Sequence, residues 1–463
     1  MDDTIATWPA TRLAAAIATK DLSSRELLEL YLDRIDRLNG PVNAVVTLDA
    51  ERARAAAHAA DQATARGDAR GPLHGLPITI KDALEVAGVR STGGASELTD
   101  HVPARDAAAV ASLKAAGAIV FGKTNVPKWS GDLQTFNKIF GTTNNPWDHG
   151  RMPGGSSGGA AVAVACGFTS FELGTDIGGS VRIPSHCCGV FGLKPSFGVV
   201  PQRGYLDHVG GGSTDVDINV VGPMARSAED LALVLSVVAG PPPELTPAWR
   251  LELPAPRHRE LAGYRIGFWF DEPDCPIDRD QATILKAAVA SLEEAGAKVE
   301  EAHPPVNFGD QVALFNRMIA AASSPKMGAE LGGARGGTHY QWLDWAKERM
   351  RLQAVWAEWF STYDLLLCPV LPTAAFPHDQ EGNIFQRTIV VNGREVPYVH
   401  SVLWTGLIGV VGLPSAVPPI GRTAVGLPIG IQVVAPYLYD YDAVHVAGRL
   451  TELVGGYATP PGY

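Results

Sequence analysis

An α/β fold is predicted for this chain of 463 residues by two strand–helix–strand passages and by its content of turn-forming residues. The first passage runs from LPITIKDAL through a helical segment at 107–116 to GAIVFGKTN. The second runs from YRIGFWF at 264–270 through a helix at 281–295 to KVEEA. With 50 glycines and 34 prolines the chain is too punctuated for a helical bundle and suits a scaffold of many turns. Hydrophobic residues at 46% and charged residues at 19% exclude a disordered chain or a charged solenoid.

Taken in order, the first 70 residues read as helices. In SSRELLELYLDRIDRL, Leu27, Leu28, Tyr31, Ile35 and Leu38 fall along one face, and Ser23 or Ser24 can cap the start. The run from Asp49 to Arg66, rich in Ala, Arg and Asp, reads as a helix with a solvated face. Residues 150–215 hold the densest glycine. Asp230 to Ala239 forms an apolar helix with Ser227 as its cap. A proline run at 241–243 opens a looser stretch to about residue 262, read as an insertion on one fold. Residues 310–362 are mostly helical and carry Trp342, Trp345, Trp356 and Trp359, an aromatic stripe that suits core or pocket wall. The tail returns to strands at DLLLCPV, GVVGLPSAV and LPIGIQVVA and closes with a helix from Tyr441 to Val454. One domain over 1–463 is expected: a helical segment at 1–70, a core at 75–235, a variable, mostly helical region at 241–362, and strands with a final helix at 363–463.

The 38 basic residues stand against 49 acidic ones, a formal charge of −11. That balance opposes binding to nucleic acid or to an anionic membrane. Five cysteines without a CxxC pair read as thiols in a reducing compartment. No signal peptide is readable, and no run of 18 apolar residues suggests a membrane span, so a cytoplasmic location is expected. GxGxxG after a strand, GxxxxGK[ST] and HExxH are all absent, and the twelve histidines never fall at metal-ligand spacing. His186 beside Cys187 and Cys188 lacks a converging partner. No metal and no cofactor is expected.

Two serine–glycine clusters and one lysine stand out: PGGSSGGAA at 153–161, GTDIGGSVRIPS at 174–185, and Lys81 in GLPITIKDA. GxSxG occurs around Ser156 and Ser157, but MPGG before it is no strand, so a nucleophile elbow is not expected. Gly178 and Gly179 before Ser180 allow a tight turn that aims consecutive N–H groups at one point, as an oxyanion hole requires. Ser180 at its edge is then the candidate nucleophile. Without a histidine motif, Lys81 at a strand end is the candidate base, since burial lowers an ammonium pKa. The same clusters are also compatible with anion binding or with plain turns, and the lysine with a surface charge.

These segments closely resemble the amidase signature family of serine hydrolases. GGSSGG, GTDIGGSVRIP, CGVFGLKPSFG and GLPITIKD carry the resemblance, and DLSSRELLELYLDRI, GKTNVPKW, GTTNNPWD, VGPMARSAEDLALVL, DLLLCPVLPT and GLPIGIQVVAP extend it over nearly the whole chain. It implies the amidase signature fold, a central mixed twisted β-sheet covered on both faces by helices. It also implies a triad of Lys81 as base, Ser156 as the intermediate serine on a cis peptide, and Ser180 as nucleophile. The oxyanion hole maps to the N–H groups of Ile177, Gly178, Gly179 and Ser180. Asp176 and Arg182 correspond to positions that brace the loop, as a structural ion pair, with Thr175 and Ser157 as supporting hydroxyls.

The implied chemistry is amide hydrolysis through an acyl-enzyme, on a small-molecule amide or carbamate, by a monomer or homodimer. The alternatives are a carbamate hydrolase, an amidotransferase of the A type, and an inactive binding protein of the same fold. The chain departs from the common pattern at Lys128–Trp129, at Asn144 and in GDLQTFNKIFG at 131–141, so specificity is expected to differ there. Trp129, Ser130, Phe136, Phe140, Trp342 and Trp404 are candidate pocket walls for a bulky or aryl amide, with core packing as the alternative. Residues 241–362 are expected to contribute to that pocket.

Overall fold

Among the described residues, nine strands make one mixed sheet. A computed structural model describes residues 2–242, 244–327 and 333–463. From one edge, Lys298–Glu301, Arg265–Phe268 and Leu365–Pro369 run parallel to one another. Pro428–Val434, Ser415–Val417, Phe191–Lys194, Val220–Ala225 and Glu172–Asp176 follow, each antiparallel to the one before. Pro419–Arg422 pairs beside Pro428–Val434. The twisted sheet is flanked by helices on both faces, as the α/β reading expects. Several central strands, including Leu365–Pro369 and Pro428–Val434, are buried along their whole length, which is why they read as unbroken apolar runs.

A second sheet joins Val45–Leu48, Ile119–Thr124 and Pro77–Lys81. It lies against the edge strand Glu172–Asp176, and polar side chains join the two. The hydroxyls of Thr79 and Thr124 donate to the Glu172 carboxylate at 2.7 and 3.0 Å. This junction brings the end of one strand, Lys81, against the end of another, Thr175.

Local chemistry accounts for the helices. Ser23 and Glu26 form a reciprocal capping box at the start of Ser24–Val42, and Leu27, Leu28, Tyr31 and Ile35 are buried along one face. The helix runs past Leu38, with Pro41 in its last turn, and stops where Asn43 turns left-handed at φ 48°. Ala50–Arg66 buries only Ala53, Ala57 and Thr64, leaving the solvated face its composition predicts. Ser227 caps Ala228–Val238. Asp230 in that helix accepts N–H bonds from Ala10 and Thr11 at 2.8 Å, tying the first helix to the core. GVVGLPSAV differs from the expected strand. Its first residues end the helix Leu403–Val410, Gly412 turns at φ 76°, and only Ser415–Val417 is extended.

Candidate active site

Three chain segments meet at the junction of the two sheets. Lys81 ends the strand Pro77–Lys81, Ser156 and Ser157 precede the helix Gly158–Ala165, and Thr175 and Asp176 end Glu172–Asp176. From Asp176 the chain turns through Gly178 and Gly179 to Ser180 and enters the helix Arg182–Cys188. Gly179 adopts φ 113°, and a Cβ there would lie 2.6 Å from the Thr405 hydroxyl. Only glycine fits that turn. The peptide bond between Gly155 and Ser156 is cis.

Lys81 is fully buried, and its Nζ lies 2.7 Å from Ser156 Oγ, 2.9 Å from Ser157 Oγ and 2.8 Å from Thr175 Oγ1. Burial, reinforced by the positive charge of Lys326, moves its pKa well below the ordinary 10.5, against the pull of Asp176 and Glu172. In its neutral form, which this shift favours, the amine offers two N–H donors and one lone pair to the three hydroxyls. Ser157 Oγ donates its hydrogen bond to the Thr175 carbonyl at 3.4 Å, so its lone pairs are free to accept from Lys81. An arrangement with two N–H donations and one O–H···N bond satisfies the whole cluster, and the shortest contact, to Ser156, is available for the O–H···N bond.

Asp176 braces the glycine turn. Its carboxylate accepts the N–H groups of Gly179, Val181 and Arg182 at 2.8, 3.1 and 3.3 Å and two guanidinium N–H groups of Arg182 at 2.8 and 3.0 Å. Burial pushes this carboxyl up, but Arg182 and the backbone donors outweigh it and hold the pKa at about 2. The arrangement corrects one expectation about the oxyanion hole. The Gly179 N–H is committed to Asp176, which leaves Ile177, Gly178 and Ser180 as the candidate donors. Arg182 extends the brace by donating to the Thr405 carbonyl at 2.9 Å and to Gln432 at 2.7 Å. Both members of the ion pair are wholly buried. Arg182→Met leaves Asp176 charged and uncompensated, and is expected to destabilise the fold by about 3–5 kcal/mol, read from chemical denaturation.

A cavity of about 910 Å³ opens over Ser180, Ile177 and Gly178. Trp129 and Ser130 line it, both in left-handed backbone conformations at φ 52° and 54°. Ser130 is 7% exposed and its hydroxyl has no partner among the described residues, leaving it available to a ligand. The other proposed walls lie outside the lining, and each has a different packing role. Phe136 sits one layer back, beneath the guanidinium of Arg387, and that arginine is itself bound to the cavity residue Asp132. Phe140 packs under Arg90. Trp342 borders a separate, smaller hollow near Gly337. Trp404 is fully buried, edge-on to Trp269 and Phe308, with its N–H on the Cys275 carbonyl.

Sequence reasoning missed Glu172, whose burial raises its pKa to about 7 despite donation from Thr79 and Thr124. It also missed Lys326, which donates to the Trp129 carbonyl at 2.9 Å. The threonines of LPITIKD and GKTN were the only local sign of the first. Nothing local marks the second. His186, in the signature segment, is buried between Gly430 and Thr373, and its pKa falls to about 4. Among the described residues, its ring hydrogen bonds are all with backbone groups.

The family model described as amidase matches residues 26–329 and 326–444. The chain is 34% identical to the A-type component of the glutamyl-tRNA(Gln) amidotransferase of Moorella thermoacetica, over 92% of each chain. A solved structure concerned with a vestigial protein complex and the origins of an s-triazine catabolic enzyme, with inhibitor bound, superposes with a TM-score of 0.84. Identity to it is 28%, covering 98% of this chain and all of that one. The 6-aminohexanoate cyclic dimer hydrolase gives a TM-score of 0.83 at 26% identity, over 99% of both chains.

Proposed function

The chain belongs to the amidase signature family of amide-bond hydrolases, and on that premise we propose that it cleaves carboxylic amide C–N bonds with Ser180 as nucleophile and Ser156 and Lys81 as proton relay. The observation that carries the reading is the buried Lys81 amine among three hydroxyls. The Lys81 lone pair takes the Ser156 proton while Ser156 takes that of Ser180, and Ser180 Oγ bonds to the carbonyl carbon. N–H groups of Ile177, Gly178 and Ser180 receive the oxyanion. Collapse breaks the C–N bond as the relay returns the proton to the leaving nitrogen. Water then repeats the sequence on the acyl-enzyme and releases the acid. Asp176 and Arg182 transfer no proton; they hold the donors in place, where a shift of about 1 Å can cost roughly a hundredfold in rate.

Two readings of the substrate follow. Trp129, Leu133, Phe315, Ile319 and Val402 give the cavity apolar walls, which supports a free-standing hydrolase of bulky or aryl amides, or of carbamates by the same steps. The amidotransferase A-type reading has the stronger support from sequence, in the 34% identity over nearly full length. The isolated chain, offered aryl amides, aliphatic amides, carbamates and glutamine, is expected to turn over an aryl amide and to show an acyl adduct on Ser180 by mass. Turnover of glutamine alone, and only with partner proteins supplied, would establish the second reading instead. A reducing compartment, the cytoplasm, fits the five buried thiols. No helix among the described residues is long and apolar enough to cross a membrane.

A further inference from the structure

We propose that the physiological substrate is an amphipathic amide bearing an anionic group, a carboxylate, which Lys326 and Arg335 recognise inside the Ser180 cavity. The inference rests on the reading of Ser180 as the nucleophile and deepens it. It starts from a charge inventory. Among the described residues the cavity lining contains one carboxylate, Asp132, and three cations, Lys128, Lys326 and Arg335. Asp132 is already neutralised, because Arg387 pairs with it at 2.8 Å and the Tyr398 hydroxyl donates to it at 2.7 Å. Lys128 is likewise occupied by Glu97 at 2.6 Å. Lys326 and Arg335 remain. Lys326 donates to the Trp129 carbonyl and lies 6.0 Å from the Tyr205 ring, and Arg335 stands 5.3 Å above the Phe385 ring. Neither has a carboxylate at ion-pair distance among the described residues.

This local surplus of positive charge sits in a chain whose formal charge is −11. The net charge opposes an anion overall, while this apolar-walled chamber presents it with two cations unpaired among the described residues. Low-dielectric walls concentrate such a field. The bond to Trp129 fixes Lys326 beside the residue that precedes Ser130, so the cation is held within the chamber. The aromatic and aliphatic walls would take the body of the substrate, and the two cations its carboxylate. Glutamine carries the anion but little apolar body, so it uses only part of this surface.

The test compares 4-acetamidobenzoate with its uncharged methyl-ketone isostere, 4-acetylacetanilide, in the full chain and in Lys326→Met, Arg335→Met and Lys326→Arg. Binding is measured by calorimetry on Ser180→Ala, and kcat/KM on chains that retain Ser180. The parent is expected to favour the carboxylate at least tenfold in kcat/KM, and Ser180→Ala at least tenfold in Kd, with the preference shrinking as salt is raised. Lys326→Met and Arg335→Met should each reduce that ratio at least threefold, and Lys326→Arg should retain it. Equal handling of the two compounds by the parent, or a ratio unmoved by both methionine variants, would overturn the proposal. Failure of the underlying reading looks different: neither compound is turned over and no acyl adduct forms on Ser180. Because calorimetry reads the carboxylate preference without turnover, it decides the anion site in that case as well. Melting curves on each variant separate a lost contact from a lost fold.

Discussion

Ser180→Ala is expected to lower amide turnover by roughly 10⁴-fold or more while leaving the protein folded. The hydroxyl is the only part of Ser180 removed. Its carbonyl, which accepts the Ser157 N–H at 3.1 Å, stays in place, and so does its own N–H, a candidate oxyanion donor. The loop is held from Asp176, through the N–H groups of Gly179, Val181 and Arg182, so its shape does not depend on the missing oxygen. A melting temperature within a few degrees of the parent, together with loss of turnover, is the expected pair of results. A serine-directed phosphonate should add its mass to the peptide containing Ser180. Addition to Ser156 instead would overturn the assignment, because Ser156 would then be the exposed nucleophile rather than the link to Lys81.

Replacing Lys81 by Met is expected to lower amide turnover by about 10²–10⁴-fold, the range of a lost general base. Met keeps most of the buried volume and removes the amine. Turnover requires the neutral amine, so in the parent kcat/KM should rise with pH and level off above the Lys81 pKa, which burial has moved well below 10.5. That limb should disappear in the variant. Stability provides a second readout whose sign is fixed. The folded pKa lies below the unfolded value of about 10.4, so between the two the unfolded chain binds the extra proton. The parent therefore gains stability over the variant as pH rises through that window, and the difference is constant below it. Denaturation at several pH values measures this. Retention of most amide activity in Lys81→Met would remove the lysine from the mechanism.

The sequence made some features legible and hid others. Lys81 and Ser180 were candidates from local pattern, a β-branched strand ending in lysine and a serine after two glycines, while the role of Ser156 came only with the family resemblance. The small sheet carrying Lys81 and the edge strand carrying Thr175 meet through Thr79, Thr124 and Glu172, and no residue count along the chain reveals that pairing. The direction of an individual N–H is equally hidden. Gly179 looked like one donor among four, but Asp176, three residues earlier, takes its hydrogen. The aromatic residues were the least legible. Phe136 lies only seven residues after Trp129, yet Trp129 lines the cavity and Phe136 does not, because Arg387, from 251 positions further along, stands between Phe136 and Asp132. Trp404, a candidate wall with core packing as the alternative, takes the alternative for a related reason. An apolar ring near the end of the chain fits core and pocket equally well until its neighbours Trp269 and Phe308 are known.

The brace on the glycine turn has a consequence for the order in which the protein is made. Lys81, Ser156 and Ser180 all lie in the first two-fifths of the chain and leave the ribosome early. Arg182 is fixed by Thr405 and Gln432, which follow it by 223 and 250 positions. A nascent chain thus carries Lys81, Ser156, Ser180 and the Asp176 brace before the residues that anchor the far side of Arg182 exist. The outer anchors of Arg182 are therefore among the later contacts the chain can form, added to a turn whose Asp176 contacts are encoded beside it.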